Sequence, residues 1–306
     1  MKRANEVFSG INHVPSAHAS DHITEGCIVL EGGALLGLYT AGVLDGLMLS
    51  DLNFRSTIGV SAGAMFGFGY VAGQIGLGAR FNLQNRYNPQ YIGVPAALKA
   101  HSPFNVQYAF DDSHLGTPFD AERFYKADRR FIAVACCVDT AETVYFEKGK
   151  CRDIFLGIQA SATIPVVSGP VRINGKRYLD GGTSMNLPYE WAFEQGYEKV
   201  LVVKTRERSY RKAAAGMMKE KLFRTLYRND PAFAELLVTQ SDRYNRQCEV
   251  LDELEKQGRV FVIAPSRQIS YDPLERDVEK LGRIYFQGLR DAKKYREDLK
   301  AYLRRP

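Results

Sequence analysis

The feature that most constrains this chain is the pentapeptide Gly59-Val60-Ser61-Ala62-Gly63, which has the pattern G-x-S-x-G. An apolar run that predicts a buried strand, Thr57 to Val60, precedes the serine, and a small-residue run that predicts a helix, Ala62 to Ala72, follows it. A serine at so sharp a turn has a strained backbone, and side chains at Gly59 and Gly63 would crowd the neighbouring chain. This context is typical of a nucleophile elbow, with the hydroxyl at the amino end of a helix. The sequence therefore predicts Ser61 as a nucleophile.

A second glycine-rich turn, Glu31-Gly32-Gly33-Ala34, follows a predicted strand at Cys27 to Leu30 and opens a predicted helix at Leu35 to Leu49. The first amides of a helix have no acceptor within it, and glycine lets the chain pass close to a reacting carbonyl group. We therefore expect the N–H groups of Gly33 and Ala34 to stabilise an oxyanion. An ordinary tight turn between strand and helix is the alternative.

The activation of Ser61 requires a base, because a serine hydroxyl is a weak nucleophile. The chain has no histidine after His114, so the α/β-hydrolase order of serine, acid and histidine finds only His101 and His114, in a loop-like stretch rich in proline, asparagine and aspartate. Asp180 is the preferred candidate. It ends the second strand of a hairpin that the pair Asn174-Gly175 predicts, and Gly181 and Gly182 follow it.

Together these three motifs resemble, in order and spacing, those of the patatin-like phospholipases. The segment Ser161-Ala162-Thr163-Ile164-Pro165 also resembles the small-residue segment that precedes the family's Asp-Gly-Gly strand. The resemblance covers roughly Cys27 to Thr205. It implies a three-layer α/β fold with a mostly parallel central sheet, a dyad of Ser61 and Asp180, and an oxyanion hole formed by the amides of Gly32, Gly33 and Ala34.

The glycine turn departs from the family pattern Asp-Gly-Gly-Gly-x-Arg/Lys-Gly at three positions. Glu31 opens the turn, Ala34 replaces the third glycine, and Leu36 replaces the basic residue. An alanine keeps the amide, provided that its backbone is not required at positive φ. The loss of the cation predicts less positive charge near the site, with an effect on rate or substrate range rather than on the type of reaction.

The function that the resemblance implies is that of a serine lipid acyl hydrolase, an esterase similar to phospholipase A or lysophospholipase that acts in lipid degradation through an acyl-Ser61 intermediate. It implies a lipid ester substrate and neither a metal nor an organic cofactor. Two alternatives stay open. One is a non-catalytic lipid- or protein-binding member of the same fold, and the other is a carboxylesterase that uses a histidine.

Composition divides the 306 residues into three predicted parts. Residues 1–25 are a polar, loosely ordered lead-in whose histidines are expected in solvent, residues 26–205 are the catalytic core, and residues 206–306 are a basic, mainly helical region packed on it. Residues 1–198 hold 16 basic and 19 acidic side chains, whereas residues 199–306 hold 25 and 16. Such a basic region suits an anionic surface, although solvated helix faces give the same charge balance.

We expect the anionic surface to be a membrane rather than nucleic acid. The segment from Lys219 to Arg228 combines basic residues with an apolar stripe that includes Leu222 and Leu226, as an interfacial helix requires. A helix packed on the core is the alternative. The oligomeric state is left open.

A cytoplasmic location, peripheral at the membrane, is expected from the cysteines and from the amino-terminal sequence. The five cysteines lack zinc-ligand spacing and indicate a reducing compartment, and residues 4–25 contain no apolar signal-peptide core. The uncharged stretch Ser56 to Ala79 is rich in glycine and is expected to be buried rather than to span a membrane.

Overall fold

The computed structural model describes residues 7–92, 105–109, 118–270 and 275–305. The strands in this part of the chain are β1 (Ala17–His18), β2 (Thr24–Leu30), β3 (Phe54–Val60), β4 (Gln74–Ile75), β5 (Arg130–Cys137), β6 (Thr143–Glu147), β7 (Val171–Ile173), β8 (Lys176–Asp180), β9 (Val200–Val203) and β10 (Val260–Ile263). The α-helices are α1 (Gly37–Met48), α2 (Ala62–Val71), α3 (Leu77–Asn85), α4 (Val106–Ala109), α5 (Ala121–Tyr125), α6 (Ile154–Ser161), α7 (Tyr189–Glu194), α8 (Met217–Leu226), α9 (Pro231–Val238), α10 (Gln240–Lys256) and α11 (Val278–Arg304). Short 3-10 helices occur at Ile11–His13, Ala34–Leu36 and Gly181–Thr183.

The central sheet has the strand order β10-β9-β2-β3-β5-β8-β7, with β6 also paired to β5. All neighbouring strands from β10 to β5 are parallel, and the pairs that involve β6, β7 and β8 are antiparallel. Strands β9 and β10 are runs of valine, leucine, isoleucine and phenylalanine, as expected where helices cover both faces of a parallel sheet. The predicted α/β class with a mostly parallel sheet is confirmed.

Helices cover the two faces of this sheet. On one face, α1 and α11 pack over Ile28, Leu201 and Ile263, and on the other face α7 and α10 pack over residues that include Val29 and Val202. Apolar cores therefore lie on both faces of the sheet, between three layers.

The C-terminal part of the chain contributes to the core that α1 and α11 form on one face of the sheet. A Cβ atom at Gly42 of α1 would lie 2.0 Å from the carbonyl oxygen of Tyr285, and one at Gly288 of α11 would lie 2.1 Å from that of Tyr39. The two helices thus approach backbone to backbone, and β10 forms the edge of the sheet. The predicted boundary after residue 205 therefore separates regions of different composition that share a hydrophobic core.

The hairpin prediction at Asn174-Gly175 is confirmed. Strands β7 and β8 pair antiparallel on either side of these two residues, whose φ angles are 49° and 80°. A type I′ turn requires positive φ at both central positions, and asparagine and glycine are the residues that tolerate it best.

The expectation of a loosely ordered lead-in was wrong for residues 7–25. Val14 is buried, Phe8 packs against Gly282 of α11, and β1 pairs with β4. Phe8, Ile11 and Val14 recur every third residue, and hydrogen bonds of the 3-10 type, from the N–H of Ile11 to Phe8 and from that of Val14 to Ile11, turn all three toward the core. The histidines of this segment (His13, His18 and His22) are exposed, as expected.

The uncharged stretch from Ser56 to Ala79 forms buried elements of the core, chiefly the end of β3 and helix α2. Across the described ranges, no helix is both long enough and apolar enough to cross a membrane.

Candidate active site

The register of the sheet brings Ser61 beside Asp180. Strand β6 pairs along one edge of β5 from Ile132 to Cys136. The other edge of β5 is shared, because β3 pairs with it as far as Val134 and β8 pairs with it from Ala135 onward. Since β3 and β8 run in opposite directions, their last residues meet. The residue after β3, Ser61, therefore lies next to the last residue of β8, Asp180.

Ser61 has the strained backbone expected at an elbow. Its φ and ψ angles are 54° and −120°, a region that non-glycine residues rarely adopt, and α2 begins at the next residue. The flanking glycines are required because a Cβ atom at Gly59 would lie 2.5 Å from the amide nitrogen of Ala64, and one at Gly63 would lie 2.4 Å from the carbonyl oxygen of Leu30. The close approach of neighbouring backbone thus explains both glycines of the motif.

The Ser61 hydroxyl lies close enough to the partly buried Asp180 carboxylate to influence its pKa, and the Oδ1 atom of Asp180 accepts the N–H of Gly182 at 2.7 Å. Burial raises the pKa of Asp180 to about 6, although the nearby Ser61 hydroxyl, the Gly182 N–H and the charge of Lys212 oppose the rise. A carboxylate with this pKa is largely ionised at neutral pH and is a stronger base than an ordinary aspartate.

The small-residue segment from Ser161 to Pro165 supports both members of this pair. The Ser161 hydroxyl oxygen accepts the N–H of Ser61 at 2.8 Å, and the Thr163 carbonyl accepts the N–H of Asp180 at 2.8 Å. Two hydrogen bonds from one short segment therefore fix the backbone on either side of the Ser61 to Asp180 contact.

The glycine turn lies against Ser61. A Cβ atom at Gly32 would be 3.0 Å from that of Ser61, so only glycine fits without displacing the serine. Buried Glu31 anchors the turn because its Oε2 atom accepts the N–H of Thr205 at 2.6 Å. Within the described part of the chain, the N–H groups of Gly32, Gly33 and Ala34 have no protein acceptor. The turn thus brings unpaired donors to the side of Ser61.

Ala34 has the positive φ angle at which an alanine is expected to be strained. Its φ angle is 49°, in the left-handed region where glycine is favoured. The alanine keeps its amide, but its Cβ atom strains the turn at the position where the family pattern has glycine.

Ser61 lies between two cavities of different character. The larger has a volume of about 490 Å³ and is also lined by Asp180, Gly32, Gly33 and Ala34. The smaller has a volume of about 50 Å³ and is lined mainly by apolar residues. Its lining includes Leu35, Ala62, Met65, Phe66, Ala162 and Ile164. A molecule that reacts at Ser61 therefore has an apolar pocket on one side and a larger, more polar one on the other.

Residues after 205 form a large part of the wall of the larger cavity, although no sequence motif assigned any of them to the site. They include Arg206, Tyr210, Lys212, Lys219, Leu222, Phe223, Leu237, Gln240 and Tyr244. Leu36 lines the cavity without a charge, as expected, but the cations Arg206, Lys212 and Lys219 line it from a distant part of the sequence. The basic composition after residue 198 was the only sequence signal for them.

The alternative bases His101 and His114 lie outside the described residues. Among the residues that the structure describes, no histidine lines either cavity at Ser61.

Comparison with family models gives two matches. A model described as "Patatin-like phospholipase" matches residues 28–193, and one described as "Domain of unknown function (DUF6363)" matches residues 230–304. The first match contains the glycine turn, the elbow and the Asp-Gly-Gly motif, and the second contains part of the other cavity wall.

Two curated relatives match over a little more than half of this chain. "Uncharacterized protein YjjU" of Escherichia coli (strain K12) is 27% identical over 183 residues, which are 58% of this chain and 51% of the relative. "Probable lipid hydrolase 463L" of Invertebrate iridescent virus 6 is 26% identical over 188 residues, which are 56% of this chain and 64% of the relative. The chain thus spans between half and two thirds of the length of these relatives.

Among solved structures, VipD from Legionella pneumophila superposes with a TM-score of 0.44 at 11% sequence identity. The superposition covers 98% of this chain and 70% of that chain.

Proposed function

Because this chain belongs to the patatin-like phospholipase family, we propose that it hydrolyses acyl esters of lipids with Ser61 as nucleophile and Asp180 as base. The observation that carries the proposal is the position of Ser61 beside Asp180, at the meeting ends of β3 and β8, with unpaired amides lining the same cavity. The similarity to a probable lipid hydrolase supports the same class of substrate.

In the proposed first step, Asp180 accepts the proton of the Ser61 hydroxyl while Oγ attacks the acyl carbon. The negative charge that develops on the carbonyl oxygen is stabilised by the N–H groups of Gly32, Gly33 and Ala34 and by the amino end of α2. As the ester bond breaks, the leaving alkoxide takes the proton from Asp180 and departs as an alcohol. The acyl group remains on Ser61.

In the second step, a water molecule attacks the acyl carbon and gives its proton to Asp180. The bond to Oγ then breaks, Ser61 recovers the proton, and the fatty acid leaves. The pKa of Asp180, about 6, suits both steps, because the group is ionised at neutral pH and yet basic enough to take a proton in the transition state.

We assign the substrate to the larger cavity, because its volume of about 490 Å³ lies in the usual range of ligand pockets. The smaller cavity has an apolar lining that includes Met65, Phe66 and Ile164, but its volume of about 50 Å³ leaves room for only a few carbon atoms of an acyl chain. The larger cavity contains charged and hydrogen-bonding side chains and is wide enough for a polar group.

We further propose that α8 docks on an anionic membrane surface. The helix exposes Met217, Met218, Leu222 and Leu226, and it also carries Lys219, Lys221 and Arg224. Leu222 and Lys219 line the larger cavity, so this surface adjoins the way in to Ser61. An apolar helix face with basic neighbours is the arrangement that binds anionic bilayers, and a substrate ester buried in a lipid layer requires such contact.

A fluorophosphonate probe tests the proposed nucleophile. We expect covalent labelling that maps to Ser61 and that disappears in Ser61→Ala together with hydrolysis of p-nitrophenyl esters, while the fold is kept. Ser209→Ala is the matched control, because Ser209 is exposed and does not line the cavity. A folded wild-type protein that neither labels nor hydrolyses esters would favour the non-catalytic binding alternative.

A further inference from the structure

The position of the Asp180 carboxylate depends on the 3-10 helix that follows it, Gly181–Thr183. The N–H of Gly182 donates to Oδ1 of Asp180 at 2.7 Å, and a Cβ atom at Gly182 would lie 3.0 Å from the same oxygen. The carboxylate therefore rests directly on the backbone of Gly182. A displacement of this backbone would move the carboxylate relative to Ser61.

Side chains of α10 hold the carbonyl groups of this 3-10 helix. The Nε2 atom of Gln240 donates to the carbonyl oxygen of Gly182 at 2.6 Å, and Nη2 of Arg243 donates to that of Thr183 at 2.5 Å. Gly182 is thus held on two sides, through its N–H by the Asp180 carboxylate and through its carbonyl group by Gln240.

These contacts come from one face of α10 and continue along the chain. Gln240, Arg243 and Gln247 are three and four positions apart, a spacing that places side chains on the same side of a helix. The Oε1 atom of Gln247 accepts the N–H of Asn186 at 3.2 Å. Helix α10 therefore runs beside the chain from Gly182 to Asn186 and contacts it through three polar side chains.

The guanidinium of Arg243 is used as a donor to backbone. Burial lowers its pKa, and a cation taken out of water is costly unless hydrogen bonds compensate for the lost water. Besides Thr183, its Nη2 atom donates to the carbonyl oxygen of Leu236, in the last turn of α9, at 2.6 Å. Carbonyl groups at the end of a helix have no donor within that helix. Arg243 thus joins the end of α9 to the chain that follows Asp180.

We propose that Gln240 and Arg243 are positioning residues for the proposed base, Asp180. They hold the 3-10 helix that follows it, and so keep the carboxylate beside Ser61. The inference rests on the proposed function. Both residues lie in the region that matches the domain of unknown function, residues 230–304. In this arrangement that region completes an active site whose sequence motifs all lie in the patatin-like core.

Gln240→Met tests this role without a change of charge. Methionine keeps the length of the side chain but cannot donate to the carbonyl oxygen of Gly182. We expect kcat on a p-nitrophenyl ester to fall roughly 3- to 10-fold, the usual effect of one hydrogen bond, with KM nearly unchanged because the base acts in the transition state. Gln257→Met, at the exposed residue after α10, is the matched control and should change neither value.

The pH profile of the Gln240→Met protein is a second measurement. The N–H of Gly182 stabilises the ionised carboxylate and lowers the pKa of Asp180, so a loosened 3-10 helix should move the acid limb of kcat/KM to higher pH. The variant leaves in place the other groups that act on Asp180, namely the charge of Lys212 and the Cys136 thiol. A shift of the midpoint therefore reports the position of the backbone.

Arg243 allows rescue by a conservative variant. Arg243→Met removes its hydrogen bonds to backbone and should lower kcat roughly 10- to 100-fold, because hydrogen bonds from charged groups are the stronger ones. Arg243→Lys keeps a charged donor and should restore part of the loss. Arg246→Met, at an exposed arginine of the same helix, is the control and should leave kcat unchanged.

Hydrogen exchange separates this inference from the proposed reaction. In full-length Ser61→Ala protein, we expect NMR to show that the Gly182 amide exchanges roughly 3- to 10-fold faster when Gln240→Met is added, because the 3-10 helix opens more often. This result does not depend on whether the wild-type protein is a hydrolase. Faster exchange in a protein without hydrolase activity would reject the proposed function and keep the positioning role.

Two outcomes would overturn the positioning role. One is an unchanged exchange rate of the Gly182 amide in Gln240→Met. The other is a lower kcat with an unchanged pH midpoint, which would show that Gln240 acts through the cavity that it lines and not through Asp180. Gln240→Ala removes the same donor and is measured in the same way if Gln240→Met does not fold.

Discussion

The two walls of the cavity at Ser61 are built in different ways. The wall from the patatin-like core consists of backbone and short side chains: the amides of the glycine turn, the strained elbow, and a carboxylate at a strand end. The wall from residues after 205 consists of long side chains, among them Lys212, Lys219 and Tyr210. The first wall is held by hydrogen bonds and close backbone contacts, whereas the second is held by aromatic and polar side-chain contacts.

This difference indicates that the two walls suit different roles. In the proposed reaction, the transition state needs hydrogen-bond donors and a base at fixed positions, and the glycine-turn amides and the Asp180 side chain both lie at the ends of strands. Recognition of a lipid headgroup or a membrane surface needs charge and apolar area, which long side chains provide. Substitutions in the two walls should therefore have different consequences.

The largest effect is expected where a side chain would collide with backbone in the core wall. Gly63→Ser places a Cβ atom 2.4 Å from the carbonyl oxygen of Leu30, so the elbow must move. We expect a loss of about 1–3 kcal/mol in the free energy of unfolding, as for overpacked sites, and roughly 100-fold lower ester hydrolysis because Ser61 is displaced. Thermal unfolding and soluble-ester kinetics measure the two effects.

The same substitution in the other region is the control. Gly216→Ser, at the residue before α8, introduces a Cβ atom with no neighbouring atom within 4 Å, and serine is a favourable residue at the start of a helix. We expect neither loss. If Gly63→Ser were equally harmless, the core wall would not depend on close backbone packing.

A smaller effect is expected from the charges of the second wall. We expect replacement of Lys219, Lys221, Arg224 and Arg228 by glutamine to weaken binding to anionic vesicles by roughly 10-fold or more, since each such residue contributes about 1 kcal/mol near an anionic surface. The ion pair of Arg224 with Glu235 reduces its share. Vesicle flotation at increasing salt concentration measures the binding, which salt should weaken.

The control for this experiment removes four exposed charges from α10 and α11, namely those of Lys256, Arg290, Lys293 and Arg304. It should leave vesicle binding unchanged. Equal binding of wild-type protein to neutral and anionic vesicles would assign α8 to ordinary packing on the core.

The smallest effect is expected at Ala34. Because its φ angle is 49°, Ala34→Gly should relieve strain and raise the free energy of unfolding by about 1 kcal/mol. Ala64→Gly, inside α2, should have the opposite sign by about the same amount, since glycine lowers helix stability. Differential scanning calorimetry distinguishes the two, and a loss of stability in Ala34→Gly would show that the turn is unstrained.

The sequence was sufficient for features that are encoded locally. The elbow, the hairpin at Asn174-Gly175 and the parallel strands each depend on a few adjacent residues, and the family resemblance connected them. It was insufficient for contacts made over long distances in the chain. Lys212 lies 32 positions after Asp180 in a region without a motif, and the hydrogen bond of Ser161 to the elbow spans 100 positions. The sequence indicated that Ala34 would be strained if its φ angle were positive. It could not predict the angle itself, because φ depends on the fold.

The central claim is that Asp180, rather than a histidine, activates Ser61. The pH profile alone does not decide it. Asp180 with a pKa of about 6 makes kcat/KM rise with pH up to that value, because only the ionised carboxylate accepts the proton, and an ordinary histidine would give a midpoint near ~6.5.

Measurement of kcat/KM on a soluble ester for Asp180→Asn, His101→Ala and His114→Ala is the direct test. We expect Asp180→Asn to lose at least the ~100-fold that removal of a general base costs, and the two histidine variants to keep most of the wild-type value. Near-normal activity in Asp180→Asn, together with loss of activity in either histidine variant, would contradict the account.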